Sequence, residues 1–219
     1  ELIAEIINEN NDVILITRPR RFGKTLNLSM LKYFFDINED AKGLFQGLKI
    51  ASLPEFKHQG KYPVIFLTFK DIKEPDFDKF MWSMGEVIRE TYKIHEESFK
   101  NLSLDRTESR SIEAILSREA NYGLLQNSLK NLSRYLSEIY QVKPIVLLDE
   151  YDTPIHAGWL KGYYEEVIDF MRGLLSGLLK DNIYLEKGIL TGCLRVSKES
   201  IFTGLNNLTV AGILSRKFR

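Results

Sequence analysis

Short apolar runs recur along the chain, and each is made mainly of β-branched and aliphatic residues, as in VILIT at residues 13–17. Runs of roughly four to eight such residues, bounded by polar or glycine-containing stretches, predict β-strands. Because these runs are apolar throughout, we expect strands that are buried on both faces. Five strands are predicted, at residues 13–17, 63–69, 144–149, 186–192 and 208–213.

Between these runs, hydrophobic residues recur with the spacing of one helix face, which predicts amphipathic helices. Residues 36–62 are predicted to form short helical pieces and loops, and the polar stretch 100–111 to be a mobile loop. Strands that alternate with helices predict an α/β fold with a mostly parallel sheet, covered by helices on both faces. The predicted helices cover residues 1–10, 25–35, 76–96, 125–139 and 163–180.

The stretch RPRRFGKT, residues 18–25, joins the first predicted strand to the second predicted helix. A helix start offers free backbone N–H groups and the positive end of the helix dipole, which together favour an anion. Lys24 would reach the outer phosphates of a nucleotide, and the Thr25 hydroxyl would bind a magnesium ion. The order of strand, Gly23-Lys24-Thr25 loop and helix therefore predicts a phosphate-binding loop.

This loop departs from the usual glycine-rich pattern, because Arg18 stands where a glycine is expected. Arginine and proline give up the backbone freedom of glycine but add cations and a fixed φ. The guanidinium groups would supplement the N–H donors, or they would pair with nucleic acid or with Asp149, Glu150 or Asp152. The candidate nucleotide-binding residues are Arg18, Pro19, Arg20, Arg21, Phe22, Gly23, Lys24, Thr25 and Leu26.

The third predicted strand ends in two acids, Asp149 and Glu150. Asp149 would hold magnesium together with Thr25, directly or through water. Glu150 would orient and polarise the water that attacks the outer phosphate. Acids also commonly end a strand at the solvent boundary, but their order in the chain after a phosphate-binding loop favours nucleotide hydrolysis.

Polar residues also follow the fourth predicted strand, at Thr191, Arg195 and Lys198. If this strand lies between the first and the third, Thr191 would face the γ-phosphate or the attacking water. Arg195 would then neutralise the charge that develops during the reaction. Thr191 and Arg195 therefore join Glu150 as catalytic candidates, with an ordinary strand-end threonine and a solvated arginine as the alternative.

Composition and charge limit the classes of function. Thirty basic residues balance thirty acidic ones, so no overall field attracts nucleic acid or an anionic membrane. Cys193 is the only cysteine, which excludes an intrachain disulfide framework and favours a cytoplasmic location. No apolar run approaches the roughly 18 residues that span a bilayer. His58, His95 and His156 lack the spacing of a zinc site.

The length of 219 residues fits one domain, and we expect residues 76–141 to form a helical insertion within it. The chain starts at Glu1 rather than at a methionine. We therefore expect it to be a piece of a longer protein.

Four stretches of the sequence resemble the AAA-ATPase-like family of bacterial and archaeal proteins: ITRPRRFGKTLNLSMLKYFF (16–35), VLLDEYDTPI (146–155), LKDN (179–182) and LTGCLRVSKESIFTGLNNL (190–208). The resemblance implies a P-loop NTPase fold of the additional-strand type, with the Thr191 strand between the first and the third. It also implies ATP and Mg²⁺ as cofactors. The matching Walker A positions are Gly23, Lys24 and Thr25, and the Walker B positions are Asp149 and Glu150.

Together these features favour an ATP-binding and Mg²⁺-dependent ATP-hydrolysing module that acts as a nucleotide switch for an attached or partner domain. In many members of the family this partner is a following PD-(D/E)xK nuclease-like domain. One alternative is a scaffold that binds nucleotide only for stability. Another is a DNA-processing accessory module, in which Arg18, Arg20, Arg21 and the basic segment 216–219 contact phosphates. The oligomeric state stays open.

Overall fold

A computed structural model describes residues 1–41, 43–193, 201–202, 205–215 and 217–218 of the chain. The strands are β1 (Val13–Thr17), β2 (Val64–Thr68), β3 (Ile145–Asp149), β4 (Lys187–Gly192) and β5 (Leu208–Ala211). The helices are α1 (Leu2–Ile7), α2 (Lys24–Phe35), α3 (Phe77–Ile94), α4 (Glu96–Phe99), α5 (Arg106–Leu116), α6 (Tyr122–Tyr140), α7 (Thr153–Lys161) and α8 (Tyr164–Leu179). Two short 3₁₀ helices, Lys49–Ser52 and Pro54–His58, precede β2.

The five strands form one sheet in the order β2-β3-β4-β1-β5, and all four pairings are parallel. Strand β4 therefore lies between β1 and β3, as the sequence predicts. In the pairing of β1 with β4, Ile16 lies opposite Thr191. Because the strands are parallel, the residues that follow each of them meet at the same edge of the sheet.

Helices cover both faces of the sheet, which explains why the strands are mostly apolar on both faces. Side chains of β1 alternate between two core clusters: Val13 and Leu15 belong to one, and Ile14 and Ile16 to the other. The first cluster contains buried residues of α3, α5, α6 and α8, whereas the second contains those of α1 and α2. This arrangement confirms the predicted α/β fold with a parallel sheet between two layers of helices.

Three helices were not predicted, namely the four-residue α4 and the longer α5 and α7. The stretch 100–111 was predicted to be a mobile loop, but α5 begins within it at Arg106. The prediction was wrong because it overlooked a capping box, in which the Asp105 side chain accepts from the N–H of Glu108 and the Glu108 side chain accepts from the N–H of Asp105. Buried Ile112 and Ile115 then anchor the helix to the core.

Helix α7 follows the acidic end of β3 directly. Pro154 lies in its first turn, where the missing N–H breaks no helical hydrogen bond. Gly162 separates α7 from α8 with a left-handed backbone, at φ 88°. The helical segment between β2 and β3 shares one core cluster with the strands, and its assignment as an insertion stays a prediction.

Candidate functional site

The β1–α2 loop, residues 18–23, lies at the carboxyl edge of the sheet and leads directly into α2. Gly23 is the N-cap of α2 and has φ 71°, a backbone conformation that residues other than glycine rarely adopt. Since glycine has no side chain, the N-cap contributes no acceptor to the N–H groups of the first helical turn. These groups can therefore donate to an anion that lies at the helix start.

Lys24 bends back over this loop and is 7% exposed. Its Nζ donates to the carbonyl oxygens of Arg18 at 3.1 Å and Pro19 at 3.2 Å, and lies 3.4 Å from Sγ of Cys193. The ammonium group is thus held at the centre of the loop, next to the end of β4. From this position it can exchange a carbonyl partner for a phosphate oxygen.

Asp149, the last residue of β3, is fully buried at 0% exposure. Its Oδ2 accepts from the Thr25 hydroxyl at 2.6 Å, and its Oδ1 accepts from the Thr191 hydroxyl at 2.5 Å. Burial of a carboxylate is costly unless its oxygens accept hydrogen bonds, so the two threonines account for its position. The structure therefore brings together Thr25, Asp149 and Thr191 from α2, β3 and β4.

The donor set at this point suits magnesium. Mg²⁺ prefers oxygen ligands, and it is usually held by one or two carboxylates together with substrate phosphates and water. Thr25 Oγ1 and Asp149 Oδ2 are such oxygens. Within the described ranges no lysine or arginine pairs with Asp149, and no group of three or more His, Cys, Asp or Glu residues could hold a metal alone. A magnesium ion at Thr25 and Asp149 would therefore need phosphate oxygens or water as further ligands.

Glu150 follows Asp149 with a left-handed backbone, at φ 52°, so the chain turns sharply after β3. Its Oε2 accepts from the Thr153 hydroxyl at 3.2 Å. The turn is fastened to the end of β4: the N–H of Tyr151 donates to the carbonyl of Thr191, and the Asp152 carboxylate accepts from the N–H of Cys193. These bonds fix the position of Glu150 relative to Thr25, Asp149 and Thr191.

Gly192 permits this close approach. A β-carbon at its position would lie 2.6 Å from Cε1 of Tyr151 and 2.7 Å from Oδ1 of Asp152. Such contacts are far shorter than van der Waals distances, and Tyr151 is itself fully buried. Only glycine allows β4 to lie this close to the acidic turn.

Arg18 is buried, and its guanidinium group donates to backbone carbonyls. Nη1 donates to the oxygens of Thr17 at 3.0 Å and Ala211 at 2.9 Å, and Nη2 donates to that of Phe218 at 3.2 Å. The side chain therefore joins the start of the loop to β5 and to residue 218. Its backbone carbonyl, in contrast, faces Lys24.

The remaining predicted loop residues are exposed. Pro19, Arg20, Arg21 and Thr25 all lie at the surface, together with Phe22 (55% exposed) and Leu26 (74% exposed). Arg195 and Lys198, predicted at the end of β4, lie outside the described residues.

An apolar pocket with a volume of about 270 Å³ adjoins the loop on the side of β5. Residues far apart in the sequence form it, among them Leu2 of α1, Phe22 of the loop, Asn27 of α2, Ile213 and Phe218. Lys24 also lines this pocket. The sequence does not predict this pocket, because no local pattern places α1, Ile213 and Phe218 beside the loop.

The histidines and the cysteine have different surroundings. His95 is buried, and burial lowers its pKa to about 4, with a smaller contribution from the nearby positive charge of Lys32. Burial likewise lowers the pKa of His58, whereas His156 is exposed on α7. Cys193 is partly exposed beside Lys24.

Among the described residues, no helix is long and apolar enough to cross a membrane.

A comparison with curated proteins finds a relative from Azotobacter chroococcum mcd 1, named as an uncharacterized protein in the vnfD 5′ region. It is 28% identical to this chain over 208 residues. The alignment covers 92% of this chain and 34% of the relative, so the chain spans about a third of that protein's length. No solved structure gives a significant match.

A family model matches residues 1–202. The matched range contains the β1–α2 loop, the acidic end of β3 and Thr191, which are the parts of the site described above. The chain therefore belongs to the AAA-ATPase-like family, whose members are described as predicted AAA-ATPases.

Proposed function

We propose that this chain binds ATP with Mg²⁺, hydrolyses it, and uses its nucleotide state as a switch for an attached or partner domain. The observation that carries the proposal is the 2.6 Å hydrogen bond between the Thr25 hydroxyl and the Asp149 carboxylate. It joins a helix start that can bind phosphate to an acidic strand end that can bind magnesium. Membership of a family of predicted AAA-ATPases supports the same function.

In this proposal the β1–α2 loop binds the phosphates of the nucleotide. The N–H groups at the start of α2 donate to phosphate oxygens, and Lys24 exchanges the carbonyls of Arg18 and Pro19 for the outer phosphates. Arg20 and Arg21 add positive charge at the rim of the loop. The strand order, with β4 between β1 and β3, supports a P-loop fold of the additional-strand type.

Thr25 and Asp149 would hold the magnesium ion. When bound, the ion supplies positive charge that stabilises the phosphoryl group during its transfer to water. Thr191 keeps the Asp149 carboxylate in position through its hydrogen bond to Oδ1.

Glu150 would orient the attacking water and accept its proton. It lies one residue beyond Asp149, in a turn that is fastened to the end of β4. The Thr153 hydroxyl donates to Oε2 and leaves Oε1 for the water. Arg195 stays a candidate for neutralising charge on the γ-phosphate.

The apolar pocket beside Phe22 and Ile213 would hold the nucleobase. It adjoins Lys24, and its volume of about 270 Å³ is just below the roughly 300–1,000 Å³ of sites for whole small molecules. Asn27 is a polar side chain on its wall that could hydrogen bond to the edge of a base.

The attached domain remains a proposal from the family resemblance and from length. The relative from Azotobacter is about three times as long as the matched region, since only 34% of it aligns. A following nuclease-like domain would be the domain that responds to the nucleotide state. Its activity would then depend on whether the bound nucleotide has been hydrolysed.

The proposal is tested by measuring ATP binding by calorimetry and phosphate release with and without Mg²⁺. Lys24→Ala is expected to weaken ATP binding by roughly 10- to 100-fold, because it removes a charged hydrogen-bond donor. Glu150→Gln is expected to keep ATP binding but to slow phosphate release by roughly 100-fold or more.

Exposed residues away from the site provide matched controls, Lys57→Ala for the lysine and Glu165→Gln for the glutamate. Both controls should bind and hydrolyse ATP as the unmodified chain does. The same phosphate release from the unmodified chain, Lys24→Ala and Glu150→Gln would contradict hydrolysis at this site.

A further inference from the structure

A second cleft, with a volume of about 350 Å³, opens beside the β1–α2 loop. We call it the basic cleft, and its polar walls are formed by Arg20, Lys73, Glu150, His156, Lys161 and Cys193. Lys73 follows β2, Glu150 and α7 follow β3, and Cys193 follows β4. The basic cleft therefore lies at the carboxyl edge of the sheet, on the side of β2 and β3.

The basic cleft and the apolar pocket share no lining residue and approach each other at Lys24. The apolar pocket is formed with α1 and with residues that follow β5, the outermost strand on the side away from β2. Lys24 lines that pocket, while its Nζ reaches Cys193 on the wall of the basic cleft. A nucleotide with its base in the apolar pocket and its phosphates on Lys24 would leave the basic cleft open for a second molecule.

Three cations lie on the walls of the basic cleft. Arg20, Lys73 and Lys161 are exposed, and none of them takes part in an ion pair with any residue that the structure describes. Elsewhere on the surface, cations such as Lys49, Arg118 and Arg134 pair with carboxylates.

Two acids, Glu150 and Asp152, line the same cleft, so its formal charge is +1. Asp152 accepts from the N–H of Cys193, and Glu150 accepts from the Thr153 hydroxyl. A concave surface with this excess of cations favours an anion.

We propose that the basic cleft binds a small organic phosphate as a second ligand, next to the nucleotide. Arg20, Lys73 and Lys161 contact its phosphate group, and Thr153 and His156 offer hydrogen-bonding groups. Ala157 and Leu160 form an apolar wall for its organic part. Because Glu150 lies on the same cleft, the ligand would also change the rate of ATP hydrolysis, and this last step rests on the proposed function.

The test uses phenyl phosphate as the probe, with phenol as its uncharged counterpart. Binding of each is measured by calorimetry to the chain saturated with Mg²⁺ and either ADP or a non-hydrolysable ATP analogue, since the analogue also fills the γ-phosphate position beside Glu150. The variant Lys73→Gln/Lys161→Gln removes two cations of the cleft. The control Lys57→Gln/Lys61→Gln removes two exposed lysines that precede β2, on the side of the amino ends of the strands and not at the carboxyl edge.

We expect phenyl phosphate to bind the unmodified chain and the control equally, and to bind the Lys73/Lys161 variant roughly tenfold more weakly. Phenol should bind none of them measurably. Equal binding of phenyl phosphate to both double variants would overturn the proposal. Competition between phenyl phosphate and ADP would also overturn it, since the probe would then occupy the nucleotide site.

A failure of the proposed function gives a different result. If ADP does not bind, the same comparison is made without nucleotide, and a weaker affinity of the Lys73/Lys161 variant alone still supports the basic cleft. If ADP binds but phenyl phosphate does not, the nucleotide site stands and the second site is rejected.

Discussion

The hydroxyl of Thr25 donates to Oδ2 of Asp149 at 2.6 Å, and so connects the first turn of α2 to the last residue of β3. The two residues are 124 positions apart in the sequence. Their contact is possible because β1 and β3 are parallel and separated by a single strand, so that both end at the same edge of the sheet.

Replacing Thr25 should test this pair as a magnesium site. Thr25→Val removes the hydroxyl oxygen. We expect the gain in ATP affinity that Mg²⁺ gives to be roughly tenfold smaller in this variant than in the unmodified chain. Thr25→Ser keeps the oxygen and should keep the Mg²⁺ dependence. Calorimetric titrations with and without Mg²⁺ measure the difference, and an equal Mg²⁺ dependence in both variants would contradict the assignment.

Gly192→Ala should destabilise the fold. The new β-carbon would lie 2.6 Å from the ring of Tyr151, which is fully buried and cannot move aside without repacking. Overpacking of this kind costs about 1–3 kcal/mol, measured as the free energy of unfolding in urea.

A matched control is Gly85→Ala in α3, where the added β-carbon would lie 3.8 Å from Leu125. This change should be neutral or stabilise by up to about 1 kcal/mol, because alanine favours a helix. If both substitutions had the same effect on unfolding, the close approach of β4 to Tyr151 would not be a constraint.

Arg18→Lys should lower the free energy of unfolding by about 1–3 kcal/mol, since an ammonium group cannot replace the fork that joins Thr17, Ala211 and Phe218. The exposed Arg20→Lys is the control and should change stability by less than about 0.5 kcal/mol. A loss of ATP affinity in Arg18→Lys at unchanged stability would instead indicate that the guanidinium group binds phosphate.

Acid should destabilise the chain through His95. Its pKa in the folded state is about 4, below the ordinary value of 6.5, because the buried ring resists a positive charge. The unfolded chain therefore takes up a proton first as the pH falls. The contribution of His95 to stability is complete above pH 6.5 and decreases as the pH falls towards 4. Between pH 7 and pH 5 the loss should be about 2 kcal/mol.

Unfolding in urea at both pH values checks this, with His95→Gln expected to reduce the pH dependence. His58→Gln is the control: burial also lowers the pKa of His58, but this ring is only partly buried, so its removal should have a smaller effect. A pH dependence that is equally steep in the unmodified chain and in His95→Gln would rule out the buried ring as its source.

The sequence predicts much of this architecture because its strongest signals are local. The apolar runs identify all five strands, and the Gly23-Lys24-Thr25 sequence predicts the start of α2 to within one residue. The position of β4 between β1 and β3 follows from the resemblance to a family, and the structure confirms it.

Other features depend on contacts that no local pattern encodes. The direction of the Arg18 side chain is decided by carbonyls that lie 193 and 200 residues away. The requirement for glycine at residue 192 comes from Tyr151, a neighbour only in space. Helix α5 was missed for a different reason, because its capping signal at Asp105 and Glu108 is local and was overlooked.

The hydrogen bonds from Arg18 to the carbonyls of Ala211 and Phe218 limit when the β1–α2 loop can fold during synthesis of the chain. Residues 18–25 leave the ribosome before the carbonyls that fix Arg18, which follow 193 and 200 residues later. At about 5–20 residues per second, this delay is roughly 10–40 s. Strand β1 also waits for both of its neighbours, β4 and β5. The β1–α2 loop is thus translated before β4, β5 and Phe218, but it can reach its final shape only after they have been made.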